Sequence, residues 1–342
     1  MKKNIRCTFL MTTLLILLFL CNIFCGSVDI PYSDTFNILC GGDAAKESWR
    51  FIILDSRLPQ AVTALLCGSA LAVSGLLLQT YFNNYLADPS ILGISSGASF
   101  GVGVVMLILG GSVGIGSLSF SGFLAVLVGA VIGSLLVMSV LLFFSSLVKD
   151  SLTLLIIGIM IGYITSSVIS LLNFFATAEG VHSYVIWGLG TFGGVSSAQL
   201  PFFSATIIIG LIGTVLLIKP LNALLLGERY ATNLGINVRH TRNYILLTVG
   251  LLTACVTAFC GPIAFIGLAV PHISRLLLGS SNHSILLPFT LLTGSVMALL
   301  CNLACILPGS GGVLPLNAVT PLLGAPVIIY VLINQRKLQY FN

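Results

Sequence analysis

The chain has 342 residues, 57% hydrophobic and 7% charged, with a formal net charge of +5. Soluble globular proteins carry about 25% charged residues, so this composition excludes a soluble enzyme or a nucleic-acid-binding domain and indicates an integral membrane protein. Apolar runs fall near 6–24, 58–80, 91–110, 118–147, 152–175, 200–218, 244–260, 262–278, 285–306 and 316–334. Most come close to the roughly twenty residues that cross a bilayer core. We therefore expect an all-α integral membrane protein of about ten transmembrane helices, in a single transmembrane domain over 1–342.

The first run follows Lys2-Lys3-Asn4-Ile5-Arg6. Phe24 stands before Cys25, where a lipoprotein cleavage site needs a small residue, so the run reads as a retained helix. Gly26–Asp55, with Asp29, Asp34, Asp43, Glu47 and Asp55, reads as a solvated outer loop. The second run begins after Arg57-Leu58-Pro59-Gln60. It is laced with Gly68, Ser69, Ala70, Ala72, Ser74 and Gly75, which let neighbouring helices approach closely. Gln79 and a polar hinge, Asn83 to Pro89, follow. Asp88 is placed to cap the third helix, with Pro89 at its first position.

Lys149-Asp150-Ser151 separates the fourth and fifth runs. Thr177–Gln199 reads as a second outer segment, with Gly180 as a turn residue and a glycine-rich stretch after Trp187. Lys219–Tyr244 is the largest inner loop. There Asn222 is a candidate cap for a short helix over 223–227, and a second short helix, Arg229–Leu234, ends at Gly235. Two short amphipathic helices beside Glu228, Arg229, Arg239 and Arg242 make a surface for a partner.

Pro262 and Pro271 are expected to break the eighth run. His272 reads as a structural hydrogen-bonding residue near a helix end rather than a metal or haem ligand. Pro308–Gly312 reads as an outer turn. Leu314–Pro326 leads into the last helix. Nine cysteines form no CxxC pair, and Cys301 and Cys305 lack further ligands at metal spacing, so no metal site is expected.

Orientation follows the basic residues. With the N-terminus inside, only Lys46, Arg50 and Arg57 of the 14 lysines and arginines fall outside, which leaves 11 inside. Both termini are expected to be cytoplasmic.

No GxxxxGK[ST] phosphate loop, Ser/His/Asp set or HExxH motif is present, so the chain has no ATP-hydrolysing or hydrolase signature. Acids and bases are nearly absent from the apolar runs. That weighs against an ion-coupled secondary transporter, the alternative from another class.

Two stretches carry a family resemblance. R-L-P, G-S-A-L-A-V-S-G, Gln79 and N-x-L-A-D-P-x-I-L-G-I-x-x-G-A run from Arg57 to Ala98, and G-P-I-A-F-I-G-L-A-V-P-H-I-S-R spans Gly261–Arg275. Both strongly resemble the FecCD/BtuC-like permeases of type II ABC importers, which carry iron–siderophore complexes, haem or vitamin B12 across a bacterial inner membrane. The matching family-motif positions are Gln79, Asn84, Asp88, Pro89, Gly93, Gly261, Pro262, Gly267, Pro271, His272 and Arg275. Trp187 to Gly194 is similar to the family's W-x-x-G-x-x-x-G segment.

The resemblance implies a transport subunit that is not itself an enzyme. It implies a homodimer, two ATPase subunits that bind ATP and Mg, a periplasmic binding protein, lipid around the bundle and no nucleic acid. Leu226, Gly227, Glu228, Arg229, Ala231, Leu234 and Gly235 match the region that docks the ATPase. Arg57, with Arg50 nearby, matches the cations that dock the binding protein, although Gln60 replaces the second arginine of the family's R-L-P-R. Ser151 is the matching gate position. Asn317 stands where the family's closing motif has glycine. A ferric siderophore or haem is the expected cargo, with vitamin B12 as the alternative.

Overall fold

The structure, a computed structural model, describes residues 2–42, 45–115, 118–148, 150–306 and 312–338. Asp43, Lys149 and the turn residues Pro308 to Gly311 lie outside the described residues. The helices are α1 (Lys2–Phe24), α2 (Tyr32–Leu39), α3 (Glu47–Phe51), α4 (Leu58–Tyr81), α5 (Ile94–Gly103), α6 (Phe123–Leu147), α7 (Ser151–Phe175) and α8 (Ala178–Gly188). They continue as α9 (Leu200–Leu216), α10 (Ile218–Leu224), α11 (Glu228–Asn233), α12 (Val238–Cys260), α13 (Ile266–Leu278), α14 (His283–Ile306) and α15 (Leu316–Leu338). A short antiparallel hairpin, β1 (Ser112–Ile115) and β2 (Leu118–Ser121), pairs Ser112 with Ser121 and Ile115 with Leu118.

Every expected apolar run has a helix. Six helices are each long and apolar enough to cross a membrane. Among the described residues α9 and α10 form a pair bent by 50° that passes the same test only when taken together, and shorter apolar helices lie at Ile94–Ile108, Ile266–Leu278 and Leu316–Val331.

The boundaries differ at several places. The run expected from 118 begins with the hairpin instead, and its helix starts at Phe123. The outer loop is not plain solvated chain. It holds α2, and a π-helical turn over Ile52–Arg57 joins α3 to α4 in one helix from Glu47 to Tyr81. Gly180 lies inside α8 rather than in a turn, because Thr177 caps that helix by accepting from the Gly180 amide. Pro271 does not break α13. It sits within the helix, and the break falls at Gly261–Phe265, where Gly261 (φ +76°) and Phe265 (φ +70°) turn the backbone. His272 is buried mid-helix rather than near an end.

The described chain forms two compact units, each drawn from several stretches. The first contains Met1–Val73, Thr191–Ile208 and Phe265–Asn342, and the second contains Ser74–Gly190 and Ile209–Ala264.

In the first unit, α1 packs on α14, and α13 packs on α14 and α15. A Cβ on Gly68 would lie 2.2 Å from the Gly294 carbonyl oxygen, and one on Gly294 would lie 2.3 Å from that of Gly68, so α4 and α14 cross backbone to backbone. A polar ladder joins three helices beside that crossing. Gln60 Nε2 donates to Asn302 Oδ1 at 2.9 Å, and Asn302 Nδ2 donates to Asn22 Oδ1 at 2.7 Å. Asn22 Nδ2 in turn donates to the carbonyls of Leu18 and Leu299. Polar side chains in a bilayer find partners inside the bundle, and this ladder seats α1 against α4 and α14.

In the second unit, α5 packs on α6 and α7, and α12 lies on α6. Gly97 and Gly101 on α5 face Gly133 and Gly129 on α6. A Cβ on Gly101 would lie 1.9 Å from the Gly129 carbonyl oxygen, and one on Gly133 would lie 2.0 Å from that of Gly97. Each helix thus presents a G-x-x-x-G pair to the other, the spacing that lets two membrane helices meet at backbone distance. α6 is apolar on every face. Its glycine side is buried, while Ile132, Leu135, Leu136 and Phe143 point outward, as a lipid-facing surface does.

Candidate coupling site

The loop from Ile218 to Asn237 is built around two glycines with positive φ. α10 begins four residues before the expected cap. Pro220 lies in its first turn, where a missing N–H costs nothing, so Asn222 is inside the helix and caps nothing. Gly227 (φ +98°) ends α10 and opens α11. α11 closes on Gly235 (φ +82°): Gly235 N donates to the Thr232 carbonyl and Ile236 N to that of Ala231. That double bond pattern is a Schellman cap, which needs glycine at the left-handed position.

Ala231 is fully buried and anchors α11. Leu225, Leu226, Tyr230 and Leu234 are 47–64% exposed, next to exposed Glu228 and Arg229. Four apolar side chains are held outward on a charged loop. The expected coupling residues Leu226 to Gly235 are thus brought together on one small structure.

α12 starts at the Asn237 cap, which accepts from the His240 amide at 3.1 Å. Its first turns carry two arginines onto the end of α6. Arg242 Nη1 donates to the Val148 carbonyl at 3.0 Å, and Nη2 donates to that of Ser145. Arg239 Nη2 donates to the Ser146 carbonyl at 2.8 Å, and Ser145 Oγ donates to Asn243 Oδ1 at 2.9 Å. These carbonyls are the orphan acceptors of a helix C-terminus, where cations are favoured. Arg242 is 5% exposed and is also hydrogen-bonded to the Tyr81 side chain. Sequence reading placed Arg239 and Arg242 on the loop but missed this role. Their spacing of three, on one helix face, was the available signal.

Val148, held by Arg242, stands three positions before Ser151 in the chain. Ser151 is the first residue of α7, and Asp150 is the cap. It accepts from the Thr153 amide and hydroxyl at 3.0 Å each, which holds its carboxyl below the usual carboxylate range.

The first motif forms a tight turn. Asn84 Oδ1 accepts from the Leu86 amide, and Asp88 accepts from the amide and hydroxyl of Ser90. Pro89 opens a 3-10 turn that ends at Gly93 (φ +76°), so α5 starts at Ile94 rather than at Ser90. A Cβ on Gly93 would press on the Gly158 carbonyl oxygen at 3.1 Å. Gln79 is buried near the end of α4. Burial raises the Asp88 carboxyl above its ordinary range.

In the second motif, Gly261 abuts the Trp187 segment. A Cβ there would lie 2.6 Å from the Trp187 carbonyl oxygen. Pro262 follows in the break, and Gly267, Pro271 and His272 are buried in α13, with Arg275 in its last turn. No group of three or more His, Cys, Asp or Glu suited to a metal occurs among the described residues.

The two outer cations part company. Arg50 is exposed on α3. Arg57 is 6% exposed and turned inward, where it donates to the carbonyls of Ile23, Phe24 and Val28. It caps the end of α1 and does not present its charge to a docking partner. Gln60 likewise points into the bundle, on the polar ladder.

Apolar helices of spanning length around a short charged loop define a polytopic membrane protein. The FecCD transport family model matches residues 14–334, and the chain belongs to that family. It is similar to the "Vitamin B12 import system permease protein BtuC" of three bacteria. With that of Citrobacter koseri it is 34% identical over 87% of this chain and 90% of the relative. With Shigella boydii serotype 18 the figures are 33%, 98% and 97%, and with Klebsiella pneumoniae 34%, 98% and 96%.

Among solved structures, one described as a metal-chelate type ABC transporter in an inward-facing conformation superposes with a TM-score of 0.82 at 28% identity, covering 96% of this chain and 98% of that one. PsaBC from Streptococcus pneumoniae, 19% identical with a TM-score of 0.51 over 84% of this chain and 95% of that one, shares the fold alone. The chain is a multi-pass inner-membrane permease of the type II ABC importer class.

Proposed function

We propose that this permease serves a vitamin B12 importer. The observation that carries the reading is whole-chain similarity, at 33–34% identity, to permeases named for vitamin B12 import. It moves the cargo away from the ferric siderophore or haem first expected, which rested only on how many family branches carry iron. A metal chelate is the second reading, favoured by the 28% identical transporter structure.

In this reading two copies of the chain pair, and two ATPase subunits, which bind the ATP and Mg, dock on Leu225, Leu226, Tyr230 and Leu234. The exposed apolar loop supports that surface. A periplasmic binding protein delivers cargo on the opposite side, with Arg50 rather than Arg57 as the available cation. Both termini lie in the cytoplasm in this reading, which the 11-to-3 distribution of basic residues supports.

The test is reconstitution of the chain in liposomes with its ATPase and binding protein, followed by ATP-dependent uptake of cobalamin, a ferric siderophore and haem. Saturable cobalamin uptake is expected. Siderophore uptake without cobalamin uptake moves the cargo to the second reading. Uptake that ignores ATP overturns the proposal. Leu226→Glu, at an exposed position, is expected to weaken ATPase association about tenfold while the chain still folds.

A further inference from the structure

The contacts at the start of α12 carry an inference about how the loop acts at a distance. The path is short and continuous. Four residues, Leu234–Asn237, join α11 to α12. Arg239 and Arg242 then grip the last carbonyls of α6, at Ser145, Ser146 and Val148. Val148 stands two positions before Asp150, which caps the first turn of α7. We propose that Arg242, assisted by Arg239, is a positioning residue that passes movement of the 218–235 loop to the α6–α7 link. The proposal rests on reading that loop as the ATPase dock.

Three features separate this grip from simple capping. First, Arg242 bonds to carbonyls on α6, and the end of a helix offers several such acceptors in succession. A planar fork with five donors can shift from one carbonyl to the next without losing its charge or its burial. Second, Arg242 Nε is buried without a hydrogen-bond partner. A buried donor left unpaired is costly and calls for an explanation in how the residue is used. Third, the two arginines differ. Arg242 is buried and holds two carbonyls, whereas Arg239 is exposed and holds one. The link therefore has a strong inner contact and a weak outer one, which differ in what their loss should do.

The experiment compares cargo moved per ATP hydrolysed in the reconstituted complex. For Arg242→Gln, the complex is expected to assemble and hydrolyse ATP within about twofold of the parent, while cargo per ATP falls at least about tenfold. Arg242→Lys keeps the charge but loses the fork, and is expected to fall between the two. Arg239→Gln is expected to lower the ratio about two- to threefold. An unchanged ratio in Arg242→Gln overturns the proposal, as do uptake and hydrolysis falling in proportion together with a lower melting temperature. If Arg242→Gln fails to assemble, Arg239→Gln decides, and an unchanged ratio there overturns the proposal. Failure of the parent complex to couple uptake to ATP is a different result, which refutes the docking reading itself.

Discussion

The two units solve the same packing problem differently. Lipid tails supply no hydrophobic drive between membrane helices, so close packing and hydrogen bonds must hold them. The first unit uses one glycine crossing, Gly68 on Gly294, and reinforces it with the Gln60–Asn302–Asn22 ladder. The second uses paired glycines on both α5 and α6, and its helix crossing at Gly97, Gly101, Gly129 and Gly133 is backbone on backbone. A hydrogen-bonded ladder fixes register, because each amide needs one particular partner. A glycine seam fixes how closely two backbones approach and needs no particular polar partner. The paired seam belongs to the unit that carries the 218–235 loop.

The comparison is sharpest when each seam is broken separately. The largest effect is expected from Gly101→Leu, whose Cβ would start 1.9 Å from the Gly129 carbonyl oxygen. Overpacking of this kind costs about 1–3 kcal/mol, read as a lower thermal midpoint in detergent, with transport lost. Gly213→Ala, whose nearest contact is the Thr248 side chain at 3.4 Å, is the control and should change little.

A smaller loss is expected from Asn302→Ala in the first unit. It strands Asn22 Oδ1 and Gln60 Nε2 and should cost about 1–2 kcal/mol. A variant that also replaces Asn22 by Leu should recover part of that loss; no recovery would mean that the ladder is not what holds α1.

The smallest effect concerns Asp88. Its carboxyl is raised by burial, so folding favours the protonated form. Stability should therefore rise as pH falls through the raised value and decline again above it. Thermal midpoints measured across pH should show this slope for the parent chain and a flatter one for Asp88→Asn.

Much of this was legible in the amino-acid order. Each apolar run holds a helix, and the Gly235 stop is local chemistry that needs no tertiary partner, whereas Asp88-Pro89 caps a 3-10 turn ahead of α5 and not α5 itself. Three things were not legible. The β1–β2 hairpin sits in a run whose hydropathy matches that of a helix, and only the pairing of residues 112–121 distinguishes it. Asn22, Gln60 and Asn302 are single polar residues inside apolar stretches, linked across 242 and 280 positions, and hydropathy averages over such residues. Arg57 reads as an outward docking cation because it matches the first arginine of the family's R-L-P-R. Its direction is set instead by carbonyls some thirty residues earlier, which only the folded chain brings near.

That last contact has a consequence for how the protein is made. α1 enters the bilayer first, with the carbonyls of Ile23, Phe24 and Val28 still open. Their donor is Arg57, which emerges from the ribosome only after α2 and α3 have been synthesised. Gly26 leaves the space that the guanidinium fills, since a Cβ there would lie 2.5 Å from it. The carbonyls at the end of α1 therefore gain their donor only when the head of the next spanning helix has been made, while the Asn22 contacts wait for α14.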